Sequence, residues 1–170
     1  DETHPGMFGI PRNIRFIGMM NDVDKSIDAF DLALRRRFKW VKECCDYKVI
    51  RNVLEDCVDE GLDKYIESCK RLNKYISEEL KLGSSYEFGH SNFWQMKYIW
   101  KQKKITENNE TELFENFLSP TLKEYLRSYF PEEDIETKVG DAKDVFLGKE
   151  KNAKPQEKGD GGEIPSEKEE

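Results

Sequence analysis

Long apolar runs are missing from this 170-residue chain. None approaches the ~20 residues that a membrane-spanning helix needs. No basic-then-apolar leader opens the sequence either, so a cytoplasmic protein without a membrane contact is expected. Apolar side chains are scarce throughout: 36% of residues are hydrophobic against 37% charged, which limits the core to a modest one. Cysteine occurs four times, as Cys44, Cys45, Cys57 and Cys69, but never as a C-x-x-C pair, and His4 and His90 are remote from all four in sequence. Zinc-ligand spacing is therefore absent, and reduced, half-buried thiols are the plainer expectation. The chain also has no G-x-x-x-x-G-K-[ST] phosphate loop and no strand-like run that ends in paired acids. Such elements supply a phosphate cradle and a magnesium ligand, so the chain alone is expected neither to bind nucleotide tightly nor to hydrolyse it. A net charge of −7 argues against general affinity for nucleic acid, although a local basic patch can override the global sign.

The composition that remains is unevenly spread. From Lys149 to Glu170 the only large apolar side chain is Ile164, among five lysines and seven acids, with Pro155, Pro165 and a Gly-Asp-Gly-Gly run. That tail cannot bury enough surface to offset its ordering entropy, and disorder is expected. At the other end, "DETHPGMFGIPRN" lacks an initiator Met and starts in a Gly/Pro-rich stretch, which reads as the interior of a longer chain.

Between the two ends, "IRFIGMM" (14–20) has the length and apolar character of a buried strand, with Pro11 before it and Asn21-Asp22 after it. "SIDAFDLALRRRF" (26–38) reads as a short helix capped by Ser26 or Asp28, and "KWV" (39–41) as a returning strand. After Asp46 the apolar period changes to that of amphipathic helices. Val49, Ile50, Val53, Leu54, Cys57 and Val58 form one stripe that ends at Gly61, and Leu62, Tyr65, Ile66, Cys69, Leu72, Ile76 and Leu80 form the next, ending at Gly83. A further helix is expected from about Ser91, a loop over "NNET" (108–111), and a last ordered segment over 112–130. In that segment Ser119-Pro120 marks a kink or a new helix start.

Met20 to Phe38, "MNDVDKSIDAFDLALRRRF", carries the chemistry. The ordinary account of three adjacent arginines is a solvated run that complements a helix dipole, and Asn21 and Asp24 suit a turn. Taken together they admit a second account. Ligands of open parallel sheets bind beyond the carboxyl ends of the strands, where Asn21 would stand. A neutral amide there can orient a water beside a phosphate without adding charge. Arginines on the following helix could reach a phosphate held by a neighbouring subunit, where their planar fork stabilises charge growing on a transferred phosphoryl group.

"FIGMMNDVDKSIDAFDLALRRRF" resembles the McrB family of AAA+ NTPases, in which a hydrophobic strand leads into Gly-x-Met-Asn-x-x-Asp-Arg-Ser and then Asp-x-Ala-Leu-Arg-Arg-Arg-Phe. Gly18, Met20, Asn21, Asp24 and Ser26 match the first block, and Asp31, Ala33, Leu34, Arg35, Arg36, Arg37 and Phe38 the second. Lys25 stands where the family has Arg, which keeps the charge but loses the bidentate fork. "YEFGHSNFW" is similar to the Gly-His-Ser-aromatic segment of the family's helical lid, and "ELFENFLSPTLKEYL" to its closing helices, so the resemblance spans residues 9–130. It implies an α/β fragment followed by an α-helical lid, with the carboxyl-terminal part of an AAA+ core over 1–46, the lid over 47–131, and a linker with a charged tail over 132–170. It also implies Asn21 as the sensor-1 residue that positions water, Asp24 completing its signature, and Arg35 and Arg36 as arginine fingers acting on the adjacent protomer. Arg37, Lys25 and His90 would lie near the nucleotide, although a capped or core histidine accounts for His90 equally well. The cofactor would be GTP or ATP with Mg2+. The partners would be other copies in a hexameric ring, a nuclease subunit, and DNA through a separate domain.

Two other readings stand beside this one. A MoxR- or dynein-related AAA+ ATPase that remodels proteins shares the finger motif. "FWQMKYIWKQKK" (93–104) interleaves Trp94, Tyr98 and Trp100 with Lys97, Lys101, Lys103 and Lys104, a pattern suited to stacking bases and neutralising phosphates, or the helical module simply docks a partner protein.

Overall fold

Asp46 opens the first helix by accepting the backbone N–H of Lys48 at 2.9 Å, which satisfies one donor that the helix start leaves unpaired. The computed structural model describes residues 9–20, 23, 36–101 and 103–149. The chain divides into two units, Asp1–Lys42 and Glu43–Glu170.

The second unit is helical. α1 (Tyr47–Leu54) buries Ile50 and Leu54, one turn apart, completely. α2 (Leu62–Lys74) runs on into a π turn at Tyr75–Glu79, and together they carry a stripe of Tyr65, Ile66, Cys69, Leu72, Tyr75 and Ile76. A 3₁₀ turn at Ser84–Tyr86 follows, then α3 (His90–Phe93) with a second 3₁₀ turn at Trp94–Tyr98. α4 (Glu107–Leu113) passes through a π turn at Phe114–Leu118 into α5 (Ser119–Arg127), and α6 (Glu132–Leu147) closes the bundle. α2 packs against α1 on one side and α6 on another, while α6 also lies on α4 and α5. Each fully buried aliphatic or aromatic side chain contributes roughly 1.5–3 kcal/mol relative to an exposed one, so this apolar cluster dominates the unit's stability.

The expected α/β fragment is not what forms. Among the described residues there is no β-strand, only isolated bridges between Glu60 and Lys104 and between Lys101 and Lys104. Ile14–Met20 has no regular structure and is exposed throughout, Ile17 at 92% and Met19 at 98%. Trp40 and Val41, expected in the returning strand, are also irregular and exposed. The physical reason is that a buried strand is stabilised by neighbours that pair its backbone and by helices that cover its faces, and a lone apolar run has neither. The helix expected over 26–38 lies outside the described residues as far as residue 35, and residues 36–38 form a turn.

Two further expectations change. "NNET" is not a loop but the middle of α4, which Thr106 starts through a capping box: Asn109 N–H donates to the Thr106 hydroxyl, and Thr106 N–H donates to Asn109 Oδ1 at 3.0 Å. Residues 132–147, expected within a linker and charged tail over 132–170, form α6, because Ile135, Val139, Ala142 and Phe146 recur every three to four positions and all face the core. Ser119-Pro120 marks the start of α5 directly after the π turn. There the Ser119 N–H reaches back five residues to Phe114, and Pro120 costs no bond in the first turn.

Gly61 has a structural duty at the start of α2. Its φ of +90° is left-handed, and an added Cβ would stand 2.5 Å from the Ile105 carbonyl oxygen. The close approach is fixed by Ile105 N–H donating to Glu60 O at 3.0 Å and Asp59 N–H donating to Lys103 O at 2.7 Å. Gly61→Ala is expected to lower the stability of the chain by on the order of 2 kcal/mol or more, from backbone strain together with the clash. Denaturant unfolding followed by circular dichroism measures it, and an unchanged midpoint would contradict the assignment.

Candidate functional site

Arginines that act on a partner's phosphate must stand in solvent with their guanidinium groups unspent. Arg36 and Arg37 lie in the exposed turn at 36–38 of the first unit, and neither is ion-paired among the described residues. Phe38 and Trp40 beside them are each 46% exposed. Arg35, the other finger candidate, lies outside the described residues, as do Asn21, Asp24 and Lys25.

In the second unit His90 has a defined contact. It is the first residue of α3, half-buried, and its Nδ1 accepts the backbone N–H of Asp46 at 3.4 Å. Its ring meets Trp94 edge-on at 6.0 Å. His90 thus ties α3 to the residue that caps α1.

The aromatic and basic run at 93–104 is divided by the fold. Phe93 and Met96 are fully buried, while Tyr98 is 71% exposed. Lys97 places its ammonium over two rings, 5.4 Å from the Trp94 centroid and 4.7 Å from that of Tyr98. Lys104 pairs with Glu60 at 2.6 Å and Lys103 with Asp59 at 3.9 Å. The hydrogen bond and charge of Lys104 hold the Glu60 carboxyl below its ordinary range. Two of the four lysines that suggested a phosphate-binding surface are therefore neutralised by acids of the α1–α2 connection.

All four cysteines are free. Burial pushes the Cys45 thiol up to about 12, and it holds the buried Cys69 well above its usual value, so both remain thiols rather than nucleophilic thiolates near neutrality. Among the described residues no group of three or more His, Cys, Asp or Glu side chains is placed to hold a metal.

Three polar groups are buried that sequence reasoning passed over: Ser68, Asn73 and Glu110. Asn73 Nδ2 donates to Phe88 O at 2.9 Å while its Oδ1 accepts Phe88 N–H at 2.8 Å, so one amide pins the segment before α3 to α2. Glu110 accepts the Ser68 hydroxyl at 2.9 Å, and desolvation raises its carboxyl above the usual range. The signal for Glu110 was the Thr106-x-x-Asn109 box, which turns an apparent loop acid into a residue on the inner face of a helix.

No helix of the described residues is long and apolar enough to cross a membrane. No family model matches the chain, and no solved structure does. Among curated proteins it is similar to the type IV methyl-directed restriction enzyme EcoKMcrB subunit of Escherichia coli (strain K12), with 38% identity over 97 residues, 54% of this chain and 21% of that protein. The chain thus spans about a fifth of the length of that relative. The identity supports a distant McrB-like relationship for the matched part.

Replacing His90 with Phe preserves a ring against Trp94 but removes the acceptor for Asp46. A loss of about 1 kcal/mol is expected from the unpaired N–H, and His90→Asn, which restores an acceptor, should recover part of it. Equal stability of the Phe variant and the parent in denaturant titration would show that the hydrogen bond contributes nothing.

Proposed function

We propose that this chain is part of a McrB-like AAA+ NTPase, with residues 43–149 as its helical lid and the cluster at 35–37 acting on a nucleotide bound by an adjacent protomer. The similarity of 97 residues to the EcoKMcrB subunit carries the reading. Arg36 and Arg37 are exposed and have no ion pair among the described residues, which supports it, since a planar guanidinium that is already spent on a carboxylate could not serve a phosphate. The first unit supplies the arginines and the second the helical cover. The phosphate cradle and the magnesium ligands belong to segments that this sequence does not contain. Asn21 and Asp24 lie outside the described residues, and the strand expected before them does not form among the described residues.

In this arrangement nucleotide sits at the junction of two copies, and hydrolysis requires both. GTP and ATP are equally accommodated by the guanidinium chemistry, which acts on phosphate oxygens and not on the base. A role in restriction of modified DNA would come from other domains and a nuclease partner.

Titration of the chain alone with GTP or ATP and Mg2+ should show no saturable binding below about millimolar, the weak end of the affinity scale. Micromolar affinity would overturn the division of labour proposed here. In the full-length protein, Arg36→Ala is expected to lower hydrolysis by about 10³-fold, the lower end of what an in-trans arginine supplies. Mixing that variant with a copy disabled in its own phosphate loop should restore turnover at mixed junctions. Unchanged hydrolysis in the Ala variant, with Arg35→Ala and Arg37→Ala also silent, would remove the arginines from the mechanism.

A further inference from the structure

Helix α6 is poorly suited to exist by itself. Its sixteen residues include Ile135, Thr137, Val139 and Val145, which are β-branched, and Gly140, whose missing Cβ faces open space. Isolated helices of this length are marginal even with good composition. Three acids in its first turn suit the dipole, but its last turn has no basic residue, whereas α1, α2 and α5 each carry at least one there.

The missing cation comes from α2. Arg71 Nε donates to Val145 O at 3.1 Å, which also accepts the Gly148 N–H, and Nη2 donates to Phe146 O at 2.9 Å, so one guanidinium reaches two carbonyls of the last turn of α6. Gly148 follows with φ +72°, and a Cβ there would come 3.1 Å from Arg71 Nη2. The same Nη2 donates to Ser68 Oγ at 2.9 Å, and Ser68 Oγ lies 2.9 Å from Glu110 Oε1. Glu110 is 2% exposed and Ser68 not at all. Phe146 meets Tyr65 at 6.4 Å and Phe114 at 5.9 Å, beside this polar chain.

We propose that α6 is a strap latched onto the bundle by Arg71, and that the charge on the buried Glu110 carboxyl sets how firmly the strap is seated. Ser68 has one proton to give. With Glu110 ionised, it is donated to the carboxylate. With Glu110 protonated, the acid donates to Ser68 Oγ, and the serine proton turns to Lys64 O, 3.2 Å away. Arg71 keeps its bond to Oγ in both states. What differs is the burial of a charge that has one hydroxyl to solvate it.

The groups that face Glu110 are Lys64, Tyr65, Cys69 and Arg71 on α2, and Glu107 on its own helix. Glu107 is in turn paired at 2.7 Å with Lys149, just past α6. Lys64 and Arg71 favour the ionised form, yet desolvation outweighs them and the carboxyl is raised. A carboxyl raised on docking favours the docked state at low pH, and that advantage is lost as pH rises through its docked value. Because α6 packs on both α2 and α4, lifting it rehydrates Glu110, so the linkage falls on the strap itself.

Hydrogen exchange of the Ile135–Leu147 amides, corrected for intrinsic rates, tests this on the full chain between pH 5 and 8. Protection of α6 should fall with rising pH, by at most tenfold per unit for one proton, while that of α2 changes less. Arg71→Gln should cost α6 about tenfold in protection at every pH. Glu110→Gln should flatten the pH dependence and keep the strap seated. If that variant unfolds, Ser68→Ala serves, since it strands the carboxyl without its donor and should steepen the loss. A parent whose α6 protection does not vary with pH would overturn the proposal. So would an Arg71 variant with α6 undisturbed, or an unaltered pH profile in both the Glu110 and Ser68 variants.

Discussion

Helix α2 is buried on more than one side, so each polar group on those faces has to find its partner inside the bundle. Tyr65 donates its hydroxyl to Phe93 O at 2.5 Å, and burial raises its phenol well above the usual range. Asn73 saturates the backbone of Phe88, Ser68 meets Glu110, and Arg71 covers the end of α6. An unpaired buried group costs about 1–3 kcal/mol, so these ties are obligatory once the apolar stripe is buried. Each one reaches a different element, and the whole arrangement around α2 follows from satisfying them.

The surface of the helical unit is held by a different and weaker economy. Lys123 pairs with Glu136 at 2.6 Å, Lys143 with Glu115 at 2.5 Å, and Arg51 with Asp63, each with its carboxylate largely in solvent. Such pairs are worth ~0–1 kcal/mol each and are screened by salt. They nevertheless engage part of the charge that a composition of 37% charged residues advertises. The lysines after Tyr98 illustrate the consequence: a run that looked like a phosphate-binding strip is half consumed by Asp59 and Glu60. Arg36 and Arg37 escape this fate among the described residues, which lends the functional proposal support beside the sequence similarity.

Several features were legible before any coordinates. The stripes of α1 and α2 could be read because apolar residues spaced by three and four have few other ways to be buried. Pro120 marks the point where a helix begins, while Gly61, read as the end of the first helix, starts the second because the first already stops at Leu54. The strand at 14–20 was misread because an apolar run states only that it needs cover, and cover is supplied by other segments. α6 was missed because its acids hid a stripe of Ile135, Val139, Ala142 and Phe146. α4 was missed because two asparagines suggest a turn, whereas here one of them completes a capping box. At the candidate site, the arginines were visible as a motif, but the hydrogen bond from Asp46 to His90 joins residues 44 positions apart.

The sequence by itself determined the local events: which stretches wind into helices, where caps and prolines start them, and which thiols have no ligand partners nearby. These depend on contacts within a few residues, where spacing along the chain is distance in space. Only the tertiary structure decided which charges are free, which carboxyl is buried, and which helix is completed by another's arginine. Those outcomes depend on what lies across a packed interface, and a one-dimensional string does not record the dielectric or the neighbours that each group meets there.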